Sequence, residues 1–134
     1  MKIVPISIVI PIRKSNEIWM QKRQTEDFLE GKLEFPGGKI EPSEKPAEAA
    51  VRELREETNV SVSPSEIDLF DVVTHHYEEK TVKLYVFLLT SNVELFQKDG
   101  WYGLNGNWQD ELGQHIPPAN CVILNKLLVE VASG

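Results

Sequence analysis

The sequence predicts an α+β fold, a mixed β-sheet layered with two helices. Three observations lead there. Apolar alternation marks residues 6–12 and the stretch 67–90 as strands, a breaker-free run at 46–58 reads as a helix, and an apolar segment with helical spacing closes the chain at 120–131.

Each element follows from local chemistry. Ile6, Ile8, Ile10 and Ile12 alternate with Ser7, Val9 and Pro11; Lys14-Ser15-Asn16-Glu17 breaks the pattern, and Ile18 to Arg23 resumes it. The first 25 residues therefore predict two strands around a turn. Gly31, Pro36, Gly37, Gly38, Pro42 and Ser43 punctuate residues 26–45, which read as loop. Pro46 suits a first helical turn, the interior to Thr58 lacks a breaker, and Asn59 tolerates the left-handed backbone that stops a helix. From Ile67 to Thr90 the pattern is β, strongest in Thr81 to Leu89, with His75-His76-Tyr77-Glu78-Glu79-Lys80 as the turn. Residues 91–107 are rich in Asn and Gly and predict an irregular edge, with Trp108 opening a short strand. Pro117-Pro118 interrupts what precedes it, and Asn120 to Val131 predicts a helix that buries Val122, Ile123, Leu124, Leu127, Leu128 and Val131.

A length of 134 residues predicts one domain, 1–134. With 14 basic and 21 acidic side chains the net charge is −7, which disfavours nucleic-acid polymers and anionic membranes. It does not forbid a small polyanion that arrives with cations. The single cysteine, Cys121, excludes an intrachain disulfide and suits a reducing cytoplasm. No apolar run approaches the ~18 residues of a membrane span. Ile3 to Ile12 is interrupted by Pro5, Ser7 and Pro11, and no small-residue cleavage site follows it, so it reads as a strand rather than a signal peptide. Nothing in the apolar pattern demands a dimer, and monomer and dimer both remain open.

The helix at 46–58 carries the chemistry. On a wheel stepped ~100° per residue from Leu54, Ala47, Ala50, Val51 and Thr58 form the inward face. Glu57, Glu53 and Glu56 form one stripe beside it, while Arg52 and Arg55 lie round the other way. The ordinary reading of a charged helix is a solvated face. Yet Glu53 and Glu57 are a like-charge i,i+4 pair, which costs about a few tenths of a kcal/mol in an isolated helix. Three carboxylates at a core edge fit a divalent cation, and hard oxygen ligands suit Mg²⁺ or Mn²⁺. Before the helix, Glu34-Phe35-Pro36-Gly37-Gly38-Lys39 supplies two glycines that let backbone approach a ligand closely.

Gly38, then Glu44, then Arg52-Glu53-Leu54-Arg55-Glu56-Glu57-Thr58-Asn59-Val60 resembles the box of the Nudix hydrolase family at every defined position except one, where Asn59 replaces the usual Gly. Lys32 to Glu41 and Pro117-Pro118-Ala119-Asn120 resemble its MutT-like subgroup, the 8-oxo-dGTP diphosphatases of nucleotide-pool sanitation. The likeness covers essentially the whole chain, loosely across 61–115. It implies an α/β/α sandwich around a mixed sheet. It also implies hydrolysis of 8-oxo-dGTP to the nucleoside monophosphate and pyrophosphate by attack of water at the β-phosphorus.

Carried over by position, the resemblance implies that Glu53, Glu56 and Glu57, with the Gly37 carbonyl, hold Mg²⁺, while Arg52 orients the carboxylates and Glu44 supports the start of the helix. For the general base it points first to Glu53 and second to Asp99: in the subgroup a loop Glu near that point helps bind metal and activate water, and here the shorter Asp99 would take that place. Arg23 would bind phosphate, with Lys39 second and the Gly38 backbone nearby. Asn120 has two readings: an N-cap before an apolar helix, or a carboxamide that reads the N–H and carbonyl of an 8-oxidised guanine. Phe35, Tyr77 and Lys80 could wall the base. Adjacent strand side chains point to opposite faces, so His75 and His76 do not chelate together. His115 and Cys121 have no partner spacing. The alternatives are another nucleotide substrate (CTP, a nucleoside diphosphate sugar or an RNA 5′ end) or a non-catalytic nucleotide-binding module, against which the complete Glu53/Glu56/Glu57 set speaks.

Overall fold

A computed structural model of the chain describes residues 2–13, 16–22, 32–104, 116 and 118–133. Its hub is β1 (Ile3–Arg13), which runs parallel to β7 (Thr81–Leu89) from Ile3↔Thr81 to Pro11↔Leu89. Beyond β7 lies β6 (Ile67–His76), antiparallel and carrying a bulge between Leu69 and Asp71. The other side of β1 is shared. Ile6–Ile8 pair with β5 (Gly37–Lys39), and Ile12–Arg13 pair with β2 (Glu17–Trp19), which in turn meets β8 (Trp101–Gly103). A separate two-stranded ribbon joins β3 (Gln21–Lys22) to β4 (Leu33–Glu34). The sheet is therefore mixed, in the order β6-β7-β1-β2-β8.

Pro5 and Pro11 sit in this central strand because of where their missing N–H groups would point. The Val9 N–H reaches the Pro36 carbonyl at 2.9 Å, so odd-numbered residues of β1 direct their donors away from β7. Pro5 and Pro11 thus withhold donors only before the β5 pairing and in the gap ahead of β2, where a proline is tolerated.

Both faces of the sheet are covered. Helix α1 (Pro46–Thr58) closes a cluster of Val9, Trp19, Ala50, Leu54, Val60, Ile67, Phe87, Leu89 and Phe96. Helix α2 (Pro118–Ser133) brings Ile123, Leu124 and Leu127 onto Ile8, Ile10, Ile18, Met20, Phe35, Val86 and their neighbours. The α+β class and the α/β/α layering are both present.

Several expectations need correction. The strand expected at 18–23 breaks at Met20, whose N–H turns to the Gly100 carbonyl at 2.9 Å. The loop expected at 26–45 contains β4 and β5. In β1, Ser7, Val9 and Pro11 are as buried as Ile8 and Ile10, because helices lie on both faces. Ala49 is fully buried although the wheel set it outside the inward face; it lies on the flank where Gly38 approaches Glu53. Helix α2 begins at Pro118, which puts Asn120 inside its first turn and removes the N-cap reading. The edge expected at 91–107 holds the turns Val93–Leu95 and Lys98–Gly100 and then β8. Trp108, His115 and Arg23 lie outside the described residues.

Candidate active site

Helix α1 begins and ends as its sequence requires. Pro46 occupies the first turn, and Glu48 reaches back to the Lys45 N–H at 2.8 Å. Asn59 takes the left-handed conformation (φ 64°, ψ 16°), and its N–H closes on the Arg55 carbonyl at 2.9 Å. The buried hydroxyl of Ser7 on β1 donates to the Pro46 carbonyl at 2.7 Å, fixing the helix start to the hub strand. This anchoring sets the height of the glutamate stripe above the sheet.

Arg52 organises the acids. Its guanidinium grips Glu44 through two parallel contacts, Nε to Oε2 at 2.6 Å and Nη2 to Oε1 at 2.9 Å. Nη1 donates to Glu53 at 2.8 Å and to Glu56 at 2.9 Å, and Nη2 also reaches the Lys39 carbonyl at 3.1 Å. The Glu44 and Glu53 carboxylates raise the Arg52 pKa above its ordinary value. In return Arg52, and then the Glu41 N–H, hold the Glu44 carboxyl below its usual range.

Glu57 stands apart from Arg52. Its Oε1 accepts from the Gln21 carboxamide and its Oε2 from the Gly37 N–H at 3.3 Å. Desolvation in the cleft, followed by the facing carboxyl of Glu53, pushes its pKa up to about 8. The Gly-Gly turn is pressed against the same acids. A Cβ on Gly38 would lie 2.5 Å from the Glu53 carboxyl carbon, and one on Gly37 would meet Ile8 at 2.7 Å. At Gly37 backbone blocks any side chain, whereas at Gly38 a side chain would displace the Glu53 carboxyl.

Gly37, Glu57 and Gln21 border a cleft of about 840 Å³, which Lys22, Glu34, Thr58, Trp19, Phe96, Gln97, Asp99, Gly100 and Tyr102 also line. The turn bearing Asp99 is pinned to β2. The Trp19 indole N–H donates to the Gln97 carbonyl at 2.9 Å, and the Met20 N–H to the Gly100 carbonyl at 2.9 Å. Gly100 is packed so tightly on the indole that a Cβ would collide with it.

Of the expected site residues, Gly37, Glu57 and Asp99 line this cleft; Gly38 and Glu53 lie against each other beside it, with Glu53 facing Glu57, and do not line it. Glu56 leans out to Arg52, and its side chain is 51% exposed. Among the described residues no three acidic, His or Cys side chains are already gathered as a cation cage. Each of the three glutamates is instead turned to a donor of the protein or to its neighbour. The donor set still fits a hard divalent ion, because two carboxylates pressed together without a cation force one to stay protonated near neutral pH.

The residues expected around the base lie elsewhere. Phe35 is buried in the α2-side core, and Lys39 is exposed. Tyr77 sits edge-on to His75 at 4.7 Å, and Lys80 closes the same turn through its carbonyl. None of these, nor Asn120, lines the described cleft. Asn120 is nonetheless 9% exposed, and its carboxamide has no hydrogen-bond partner among the described residues. Sequence reasoning missed Gln21, Trp19 and Gly100. Their roles depend on cross-strand register, for which residue type gave no signal.

Comparison with known proteins agrees with this geometry. The NUDIX domain family model matches residues 2–111. An 8-oxo-dGTP diphosphatase of Escherichia coli (strain K12) is 35% identical over 132 residues, covering 95% of this chain and 98% of the relative. A second, from Haemophilus influenzae, is 31% identical over 134 residues, covering 96% and 94%. The crystal structure of a MutT NUDIX hydrolase from Burkholderia pseudomallei superposes with a TM-score of 0.74 at 22% identity, over 93% of this chain and 98% of that one. The chain belongs to the NUDIX family and is a MutT-like hydrolase.

Proposed function

We propose that the protein is an Mg²⁺-dependent nucleotide pyrophosphohydrolase. It hydrolyses 8-oxo-dGTP to the nucleoside monophosphate and pyrophosphate, and so clears the oxidised nucleotide from the pool. The observation that carries this reading is that Glu57, held by the Gly37 N–H, lines one cleft with Asp99, while Glu53, pressed against Gly38, faces Glu57 beside it. Nucleotide hydrolases of this family generally use a divalent metal. Glu53, Glu56 and Glu57, with the Gly37 carbonyl, are the residues that would hold it.

A bound divalent ion would neutralise the triphosphate and make water a better acid. The rest falls to this chain's residues. Arg52 fixes Glu53 and Glu56 by charge-assisted hydrogen bonds, so their oxygens need not reorganise during the reaction. The side-chain-free turn at Gly37-Gly38 lets the polyphosphate approach the acids within contact distance. Glu53 takes the proton of the attacking water as the new O–P bond forms at the β-phosphorus and the α–β bridge breaks. Asp99 lines the same cleft, as a second acid to assist the ion or the water. Lys39, exposed beside the turn, and Arg23 are the cations for phosphate, while Phe35, Tyr77 and Lys80, away from the cleft, are given no part in holding the base. Asn120 supports the choice of base: its buried carboxamide has no hydrogen-bond partner among the described residues, and an unmet buried polar group costs about 1–3 kcal/mol that a ligand's complementary edge would offset.

The test is pyrophosphate release from 8-oxo-dGTP, dGTP, CTP and a nucleoside diphosphate sugar, with Mg²⁺ and with chelator. Glu53→Gln is expected to lower kcat by about 10²–10⁴-fold. Absence of metal-dependent turnover on every substrate overturns the enzymatic reading. Preference for CTP or the sugar nucleotide overturns the sanitation reading alone.

A further inference from the structure

Glu57 is the only glutamate of the stripe, among the described residues, that Arg52 does not hold. Its orientation comes from a different element. Gln21 stands on β3, opposite Glu34 of β4, and its carboxamide donates to Glu57 Oε1 across 36 residues of sequence. The Gly37 N–H takes the other oxygen. The donor is the NH₂ end of the amide. Each oxygen thus meets a neutral donor, with the Glu53 carboxyl as the neighbouring acid.

Neutrality is the physically telling feature. A lysine or arginine at residue 21 would hold Glu57 equally well but would compete with a divalent cation for its charge. An amide orients the carboxylate and leaves that charge in place. Gln21 also lines the cleft with Glu57 and with Trp19, two residues earlier in the chain. Trp19 pins the Asp99 turn while Gln21 pins Glu57.

We propose that Gln21 is a positioning residue for the divalent-cation site: by holding Glu57 with an uncharged donor, it sets the carboxylate's direction without spending its charge. This deepens the reading of the site as a metal-dependent hydrolase and rests on it. Partners that hold a metal-binding side chain from behind are typically worth about 10–100-fold in metal affinity or activity.

The experiment compares wild type, Gln21→Met and Gln21→Lys. Binding of Mn²⁺ alone is followed by electron paramagnetic resonance, and kcat and KM are measured separately on 8-oxo-dGTP. Gln21→Met, which keeps the length and removes the donor, is expected to weaken Mn²⁺ binding about 10-fold and lower kcat, with KM little changed. Gln21→Lys is expected to weaken Mn²⁺ further, because a cation now occupies the acid. Thermal unfolding of the metal-free proteins should stay within a few degrees, which separates positioning from folding. Wild-type Mn²⁺ affinity and kcat in both variants would overturn the inference while leaving the hydrolase reading intact; so would a loss confined to thermal stability. Absence of Mn²⁺ binding and turnover in the wild type would overturn both.

Discussion

Removing the charge of Glu44 while keeping its shape isolates what Arg52 gains from its tightest partner. The Glu44 pKa is lowered below 4.5 in the folded protein, chiefly by the Arg52 hydrogen bonds. Its ionised form therefore adds stability at pH above 4.5, and that stability disappears as the pH falls through the lowered folded value. Urea unfolding of Glu44→Gln should show its largest deficit against wild type at pH 7 and almost none in acid below both values. An equal deficit at both would mean that the loss does not come from the Glu44 charge. Asn120 poses the complementary question, because its polar group is buried without a partner among the described residues. If the ligand makes this contact, as proposed, Asn120→Ala is expected to reduce selectivity for 8-oxo-dGTP over dGTP by about 10–100-fold. Thermal stability should hold or rise; a fall in stability with selectivity unchanged would remove the base-reading role. At this scale the sequence pointed to Asn120 and to the glutamates. It could not point to Gln21, because a glutamine on a two-residue strand becomes informative only when the fold sets it against Glu57.

Helix α1 was legible from end to end because its limits are written in local chemistry: Pro46 at the first turn and a left-handed Asn59 at the stop. The stop can be tested directly. A β-carbon without a compensating polar side chain costs roughly 1–2 kcal/mol in left-handed backbone. Asn59→Ala should therefore destabilise by about 1 kcal/mol, whereas Asn59→Gly should match or slightly exceed wild type. Equal stability of the Ala and Gly variants would mean that the cap relaxes. Strands β4 and β5 were illegible because they span two or three residues each, too short for any period to emerge, while β3 was read as the end of one strand running from Ile18 to Arg23. Pairing partners hold them, not propensity. The Asp99 turn belongs to the same class, since its position comes from Trp19 and Met20 on β2. Gly100→Ala would drive a methyl into the Trp19 indole and displace that turn. Overpacking of this kind costs about 1–3 kcal/mol. Turnover should fall with it if Asp99 acts at the cleft, and unchanged kcat in a destabilised Gly100→Ala would remove Asp99 from the chemistry.

Across the whole molecule, the sheet divides the interior into two cores that share no residue, one under α1 and one under α2. The alternation in β1 looked one-sided in sequence, with Ser7, Val9 and Pro11 as the outer row. That reading assumed a half-exposed strand, and the serine that suggested it is a buried tether whose hydroxyl is satisfied by Pro46. Only the second helix, packed on the opposite face, shows why both rows are apolar or satisfied. The division also has an energetic consequence. Ile67, on the α1 side, is 6% exposed, and Ile123, on the α2 side, is fully buried. Trimming either to Val should cost about 0.5–1.5 kcal/mol. Because the two side chains share no cluster, the double variant should equal the sum within about 0.5 kcal/mol. The acid stripe belongs to α1 alone, so divalent-ion affinity should respond, if at all, to Ile67→Val and not to Ile123→Val. Urea unfolding and Mn²⁺ titration of the four proteins check both statements. Strong non-additivity, or an equal loss of Mn²⁺ affinity from the α2-side change, would show that the sheet transmits strain from one core to the other rather than insulating the site.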